Sequence, residues 1–217
     1  MINNKLTTLY IVRHGESEEN IKFTTNLPYV HDGEFGSPLS AKGRDQARKR
    51  ASTFKNIAFD RAFSSDLIRA KETAEIIALE HDLAVATTDV IRERTKGNAV
   101  GEVEKRLVGE LKSIFDKLET LPELEKIKLE SEYGIESREK AVGRLLTFLR
   151  EIAVAYAGKT LLVVCHGRLI SGLLIHLGIY KKDELNWDSV KNTGYFVVES
   201  DGIDFFVKEL HDIEKVN

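Results

Sequence analysis

Two histidines in this chain stand where α/β proteins place their chemistry. Val12-Arg13-His14-Gly15 and Val164-Cys165-His166-Gly167 each end a run of apolar residues in His-Gly. In open α/β sheets, ligands bind at the carboxyl ends of the strands. If both runs are central parallel strands, His14 and His166 meet at that edge, and the glycines let backbone approach a ligand closely. A third run ends at Ser64-Ser65 and leads into a helix with Arg69 in its first turn. A helix N-terminus with an arginine is a ready anion site. Two imidazoles, an arginine and a helix end point to chemistry on an anionic group.

These residues need a scaffold, and the rest of the chain supplies its elements. Leu6–Val12 reads as a buried strand. Residues 21–39, with Pro28, Gly33, Gly36 and Pro38, read as a loop. Ser40 caps a helix running to about Asn56, followed by a strand over Asp60–Ser65 and a helix from about Asp66 to Glu80. Thr87–Arg92 is a short strand candidate, with a loop over 93–100. The charged stretch 101–135, broken by Pro122, reads as a helical insertion lying over the sheet. Ser137 caps a helix to about Tyr156, in which Val142, Leu145, Leu146, Leu149, Ile152 and Ala153 recur at spacings of three and four. Thr160–Cys165 is an unbroken apolar strand suited to the middle of a sheet covered on both faces. A helix to Leu177 follows, and Tyr195–Val198 and Ile203–Val207 form a hairpin around Ser200-Asp201-Gly202. The alternation predicts a three-layer α/β/α fold with a mostly parallel central sheet, in one domain spanning 1–217.

Composition removes several alternatives. The 217 residues carry 32 Lys+Arg and 35 Asp+Glu, a net charge of −3, unlike a general nucleic-acid binder. The single cysteine, Cys165, excludes an internal disulfide and a cysteine-built metal site, and its apolar strand makes it a small core hydrophobe. There is no run of ~18 apolar residues for a transmembrane helix. The polar stretch Met1–Thr8 lacks a signal-peptide core, so a cytoplasmic location is expected. No HExxH motif or dense carboxylate cluster suggests a metal.

Taken together, the motifs resemble the histidine phosphatase superfamily, also called the phosphoglycerate mutase-like family. Its opening signature stands here as Arg13-His14-Gly15-Glu16-Ser17 with Asn20 following. Pro38–Ala47, Ser64–Ala74 with Arg69, Ile91–Gly97 with Glu93, and Val163–Leu174 with His166 resemble its next blocks in order. Ile135–Ser137 with Arg144 resembles a further helical block, and Asn192-Thr193 opens the last one. The matches run from about residue 9 to 197. The resemblance implies a phosphoglycerate mutase-like fold and a nucleophilic His14 that becomes phosphorylated. It further implies that Arg13, Arg69 and His166 hold the phosphoryl oxygens, assisted by Gly167, and that Glu93 is the general acid and base. It places a phosphate contact at Asn20. Ser17 is as well suited to capping a helix as to touching a ligand. The physical case agrees, since an attacking imidazole must be neutral and adjacent arginines disfavour its cation. His31, His81, His176 and His211 match no block and read as structural or surface groups.

The departures bear on substrate. Ser37 stands before Pro38-Leu39, where the family often has Asp. Lys96 replaces a Tyr and Arg168 an Asn that the mutases have, adding positive charge that suits a second anionic group on the substrate. Loop 21–37 is long enough to reach over the site. The insertion typical of mutases is not visible in 101–135, where Lys105, Arg106, Lys112 and Lys117 read as a solvated face. The leading expectation is therefore a cofactor-independent, metal-independent phosphatase acting on a small phosphorylated metabolite, with neither nucleic acid nor membrane as partner. The alternatives are a 2,3-bisphosphoglycerate-dependent phosphoglycerate mutase and a non-catalytic phosphate-binding regulatory module. Oligomeric state is left open, a homodimer included.

Overall fold

The computed structural model describes residues 5–25, 36–95, 121–122, 125–126, 130–131, 134–186 and 188–216. Lys96 and most of the 101–135 insertion and the 21–37 loop lie outside the described residues.

Six strands form one sheet in the order β3-β2-β4-β1-β5-β6. They are β1 (Thr7–Arg13), β2 (Arg61–Ser65), β3 (Val85–Thr88), β4 (Thr160–Cys165), β5 (Val190–Ser200) and β6 (Phe205–Ile213). The pairs β3·β2, β2·β4 and β4·β1 are parallel, and β1·β5 and β5·β6 antiparallel. Among the described residues the longer helices are α1 (Glu18–Thr25), α2 (Ala41–Phe54), α3 (Ile68–Leu79), α4 (Arg138–Ala155) and α5 (Gly167–His176). Alternation along each central strand divides the core in two. Leu9 and Ile11 of β1 and Leu161 and Val163 of β4 pack with Leu145, Leu149, Leu169 and Leu173 of α4 and α5. Val12, Leu162 and Val164 face the other way, against Ala51, Phe54, Ala70 and Ile77 of α2 and α3. The three-layer, mostly parallel α/β arrangement expected from sequence is what the chain adopts. No helix among the described residues is long and apolar enough to cross a membrane.

Three elements differ from the sequence reading. Residues 21–25 belong to α1 rather than to a loop. The Ser17 hydroxyl accepts the Asn20 N–H at 3.2 Å, Asn20 Oδ1 accepts the Ser17 N–H at 3.0 Å, and Glu18 and Glu19 fill the first turn. That reciprocal cap and the acids at the positive helix end start a helix that the downstream prolines obscured. β3 comes earlier than Thr87–Arg92, because its register follows β2 from Ala62↔Val85 to Ser65↔Thr88. Beyond it the Val90 N–H bonds to Thr88 Oγ1 at 3.2 Å and the Arg92 N–H to the Asp89 carbonyl at 3.0 Å, so the chain turns. The C-terminal hairpin is longer than its apolar alternation indicates. Ile203 lies in the turn, where Asp201 Oδ1 accepts the Ile203 and Asp204 N–H groups at 2.8 and 2.9 Å.

Close packing ties the segment after β1 to α2. A Cβ on Gly43 would lie 1.9 Å from the Glu16 carbonyl oxygen, and one on Gly15 would lie 2.6 Å from that of Gly43. Glu16 completes the joint by accepting from the Ser40 hydroxyl at 2.9 Å and from Lys42 Nζ at 2.8 Å.

Candidate active site

β1 and β4 are adjacent and parallel, with Arg13 opposite Cys165, so the next residue on each is at the same level. The His14 N–H donates to the Cys165 carbonyl at 3.1 Å, and the two imidazole rings lie 5.1 Å apart at 62°. Parallel pairing thus accomplishes what sequence separation hides.

The protonation state of His14 follows from its partners. Nδ1 lies 2.6 Å from the Gly15 carbonyl oxygen, which can only accept, so Nδ1 carries the proton. Arg69 Nε–H donates to Nε2 at 3.2 Å, so Nε2 is the unprotonated nitrogen and its lone pair points to the cationic side of the site. His14 is 3% exposed. Burial first, and then the Arg69 and Arg13 cations, hold its pKa well below the ordinary imidazole value. Burial does the same to His166, reinforced by Arg69. Both rings are neutral at neutral pH.

Arg13 and Arg69 are nearly completely buried. Arg13 Nη1 donates to the Val190 carbonyl, and Arg69 Nη1 pairs with Glu19 Oε2 at 3.3 Å. Among the described residues, Arg13 Nε and both ring nitrogens of His166 are buried without a hydrogen-bond partner. An atom left unpaired in this way costs about 1–3 kcal/mol, and free polar atoms beside two guanidinium groups are chemically suited to an anion.

The other sequence candidates take different positions. Glu93 is half-buried, and its Oε1 and Oε2 accept the N–H groups of Arg94 at 2.9 Å and Arg168 at 3.2 Å. Its charge is felt at both Arg13 and Cys165, so it belongs to the cluster. Gly167 makes room: a Cβ there would lie 3.1 Å from Arg13 Cδ and Nε. Ser17 is completely buried and serves as the cap of α1. Asn20 Oδ1 is held by the Ser17 N–H and hydroxyl, the latter at 3.2 Å. The Gly15 N–H goes to Thr73 Oγ1 at 3.0 Å instead of toward a ligand. The Arg168 side chain is half-buried and lines a cavity of about 600 Å³ with Arg94, Arg138 and Lys182. Burial pushes the Cys165 thiol up to about 12, in keeping with a core role.

Sequence reasoning missed Glu19, and it marked Asn192-Thr193 only as the opening of the last block, without a role. Glu19, paired with Arg69, carries no signal beyond its place in the first turn of α1. Asn192 and Thr193 bracket the His14 carbonyl oxygen, Asn192 Nδ2 at 3.2 Å and the Thr193 N–H at 3.3 Å. Thr193 does so at φ 59°, an unfavourable angle for a β-branched residue.

Fold and site thus define an α/β protein with two buried, uncharged imidazoles flanked by two buried arginines. Comparison with known proteins gives that class its family. The histidine phosphatase superfamily (branch 1) matches residues 9–213, and the chain belongs to it. It is 32% identical over 173 residues to the uncharacterised phosphatase PhoE of Bacillus subtilis, covering 79% of this chain and 78% of that protein. The crystal structure of a phosphoglycerate mutase from Bacillus anthracis superposes with a TM-score of 0.71 at 25% identity, covering 96% of this chain and 94% of that one. A phosphoserine phosphatase from Entamoeba histolytica, solved with phosphoserine, shares the fold at a TM-score of 0.70 and 23% identity, covering 94% and 96%. These relatives are named as phosphatases and a phosphoglycerate mutase.

Proposed function

We propose that the protein hydrolyses small phosphomonoesters through a phosphohistidine at His14 Nε2. The observation that carries this reading is the neutral His14 tautomer, with Nδ1–H fixed on Gly15 and Nε2 facing Arg69. In the first step the Nε2 lone pair attacks phosphorus and the ester P–O bond breaks. Arg13, Arg69 and His166 hold the equatorial oxygens, where the transferring group spreads its charge. The protonated Glu93 carboxyl gives its proton to the leaving oxygen. In the second step Glu93 takes a proton from water, the resulting hydroxide attacks phosphorus, and the P–N bond breaks. His14 returns to its starting state and phosphate departs.

The similarity to a phosphoglycerate mutase of known structure keeps mutase activity as the second reading. Both share the phosphohistidine and differ in who accepts the phosphoryl group, water or a second substrate hydroxyl. Phosphorus NMR with 3-phosphoglycerate and a bisphosphate primer, together with a panel of phosphorylated metabolites, separates them. Release of inorganic phosphate and an acid-labile phosphoryl group on His14 are expected. Rapid interconversion of phosphoglycerates without release would overturn the phosphatase reading, and no turnover of any phosphomonoester would overturn both.

A further inference from the structure

The Glu93 carboxylate is positioned indirectly. Its two oxygens accept only backbone N–H groups in the described structure, one from its own segment and one from Arg168 in the first turn of α5. Where the carboxylate sits therefore depends on how the irregular segment 90–95 is held relative to α5.

Both ends of that segment are tied to one ion pair, between Arg144 on α4 and Glu136 just before the helix N-cap Ser137. Arg144 Nε and Nη2 donate to Glu136 Oε1 and Oε2 at 2.8 and 2.9 Å, a two-pronged fork. The remaining terminal nitrogen, Nη1, donates to the Val90 carbonyl at 2.5 Å, three residues before Glu93. On the other side, Glu136 Oε2 accepts the Thr95 N–H at 3.3 Å, and the Glu136 N–H donates to the Thr95 carbonyl at 3.1 Å. Arg94 Nε reaches the Glu136 carbonyl oxygen. Arg92, between these anchors, forks onto Asp66 at 2.7 and 2.6 Å, beside the start of α3.

The same helix also fixes α5. A Cβ on Gly172 would lie 2.7 Å from Val142 Cγ2, so α4 and α5 are pressed together with no room for adjustment. α4 thus acts as the ruler between the two donors that define the carboxylate. The Glu136 side chain is 9% exposed and that of Arg144 22%, which shields the pair from much of the screening that weakens surface ion pairs. Burial opposes ionisation of Glu136, but the Arg144 guanidinium together with the Thr95 N–H and Lys140 outweighs it, and the carboxyl pKa lies below its ordinary value.

We propose that the Glu136–Arg144 pair is the positioning device for the acid–base group: it holds segment 90–95 at both ends and so aims the Glu93 carboxylate at the leaving oxygen. The proposal rests on the reading of Glu93 given above. Neither residue touches substrate, and each acts through Glu93.

The test uses Glu136→Gln, which keeps shape and loses charge, and Arg144→Lys, which keeps charge and loses the fork. Each is measured on glycerol phosphate, whose leaving group needs a proton, and on para-nitrophenyl phosphate, whose leaving group needs little. A misplaced acid should cost about tenfold to a hundredfold in kcat/KM on glycerol phosphate and less than about twofold on para-nitrophenyl phosphate. On a Glu93→Gln background neither substitution should have further effect, because the group they position is gone. Equal losses on both substrates, or effects that add fully to Glu93→Gln, overturn the proposal in favour of a purely structural pair. Should Arg144→Lys not fold, Glu136→Gln decides by the same criteria. Glu93→Gln alone separates the two levels of inference. If it does not discriminate between the substrates, the acid role of Glu93 falls and the positioning role with it. If it discriminates and the pair variants do not, only the positioning role falls.

Discussion

The proposed nucleophile side and the proposed acid side of this site are held in different ways. His14 and His166 are direct continuations of two adjacent parallel strands, and their relative position is set by backbone hydrogen bonds in the centre of the sheet. Glu93 stands on an irregular segment held by hydrogen bonds from the Glu136–Arg144 pair to the backbone of Val90 and Thr95, and by the Arg92–Asp66 fork. In the proposed reaction the first side must keep a lone pair within bonding distance of phosphorus, whatever the substrate. The second must meet a leaving oxygen whose surroundings change from substrate to substrate. A sheet resists displacement, because moving one strand breaks the ladder on both sides. A segment tied by side chains can be re-aimed by changing one residue. Substrate adaptation in this fold is therefore expected on the acid side.

The difference can be broken most severely at His14. His14→Ala should lower turnover on the order of 10⁴-fold or more and abolish the phosphoenzyme, with the far-ultraviolet circular dichroism spectrum unchanged. Turnover within about tenfold of the parent would mean that the sheet-borne histidine is not the nucleophile. Glu93→Gln comes next, with a loss of about 10²–10⁴-fold on alkyl phosphates and a much smaller one on para-nitrophenyl phosphate. The positioning pair follows at about tenfold to a hundredfold with the same substrate dependence.

Gly167→Ala probes the seam between the two sides. Its Cβ would lie 3.1 Å from Arg13 Cδ and Nε, so the guanidinium must shift. Weakening one charge-assisted contact to the phosphoryl group corresponds to roughly a tenfold rise in KM or in the inhibition constant of inorganic phosphate. An unchanged constant would show that Arg13 does not contact the anion.

The smallest effect concerns pH. His14 and His166 remain neutral in the fold, whereas in the unfolded chain they protonate below about pH 6.5. The unfolded state then binds more protons, so stability falls as pH drops below that value, until the depressed native pKa values are reached. Each imidazole contributes up to about 1.4 kcal/mol per pH unit in that window. Urea unfolding between pH 7 and pH 5 measures the slope, and His14→Gln should remove about half of the two-histidine contribution. A midpoint that does not move in the parent protein would contradict the buried, neutral assignment.

The comparison also explains what could be read in advance. His14 and His166 were legible because a strand end is a local feature, a run of apolar residues stopping at His-Gly. Ser40 and Ser137 announced α2 and α4 by cap chemistry, and both hydroxyls do accept the N–H three residues on. α1 is hidden in the sequence although its cap is equally local, since the prolines and glycines further along outweigh Ser17 and Asn20. β3 was shifted because an edge strand takes its register from its neighbour rather than from its own side chains. Nothing local in the sequence pairs Glu19 with Arg69 or brings Asn192-Thr193, legible only as a family block, to the His14 carbonyl. The partner of Glu19 is 50 positions along the chain, and that of Asn192 lies 178 positions away.

The sequence by itself determined the layers, the sheet centre and the residue types of the site, because periodicity, caps and apolar runs are short-range properties that a chain carries before it folds. The tertiary structure decided which nitrogen of His14 keeps its proton, why both imidazoles stay uncharged, and what aims Glu93. Those depend on burial and on single hydrogen bonds between distant segments. Their strengths are set by the low-dielectric interior that exists only once the layers have closed.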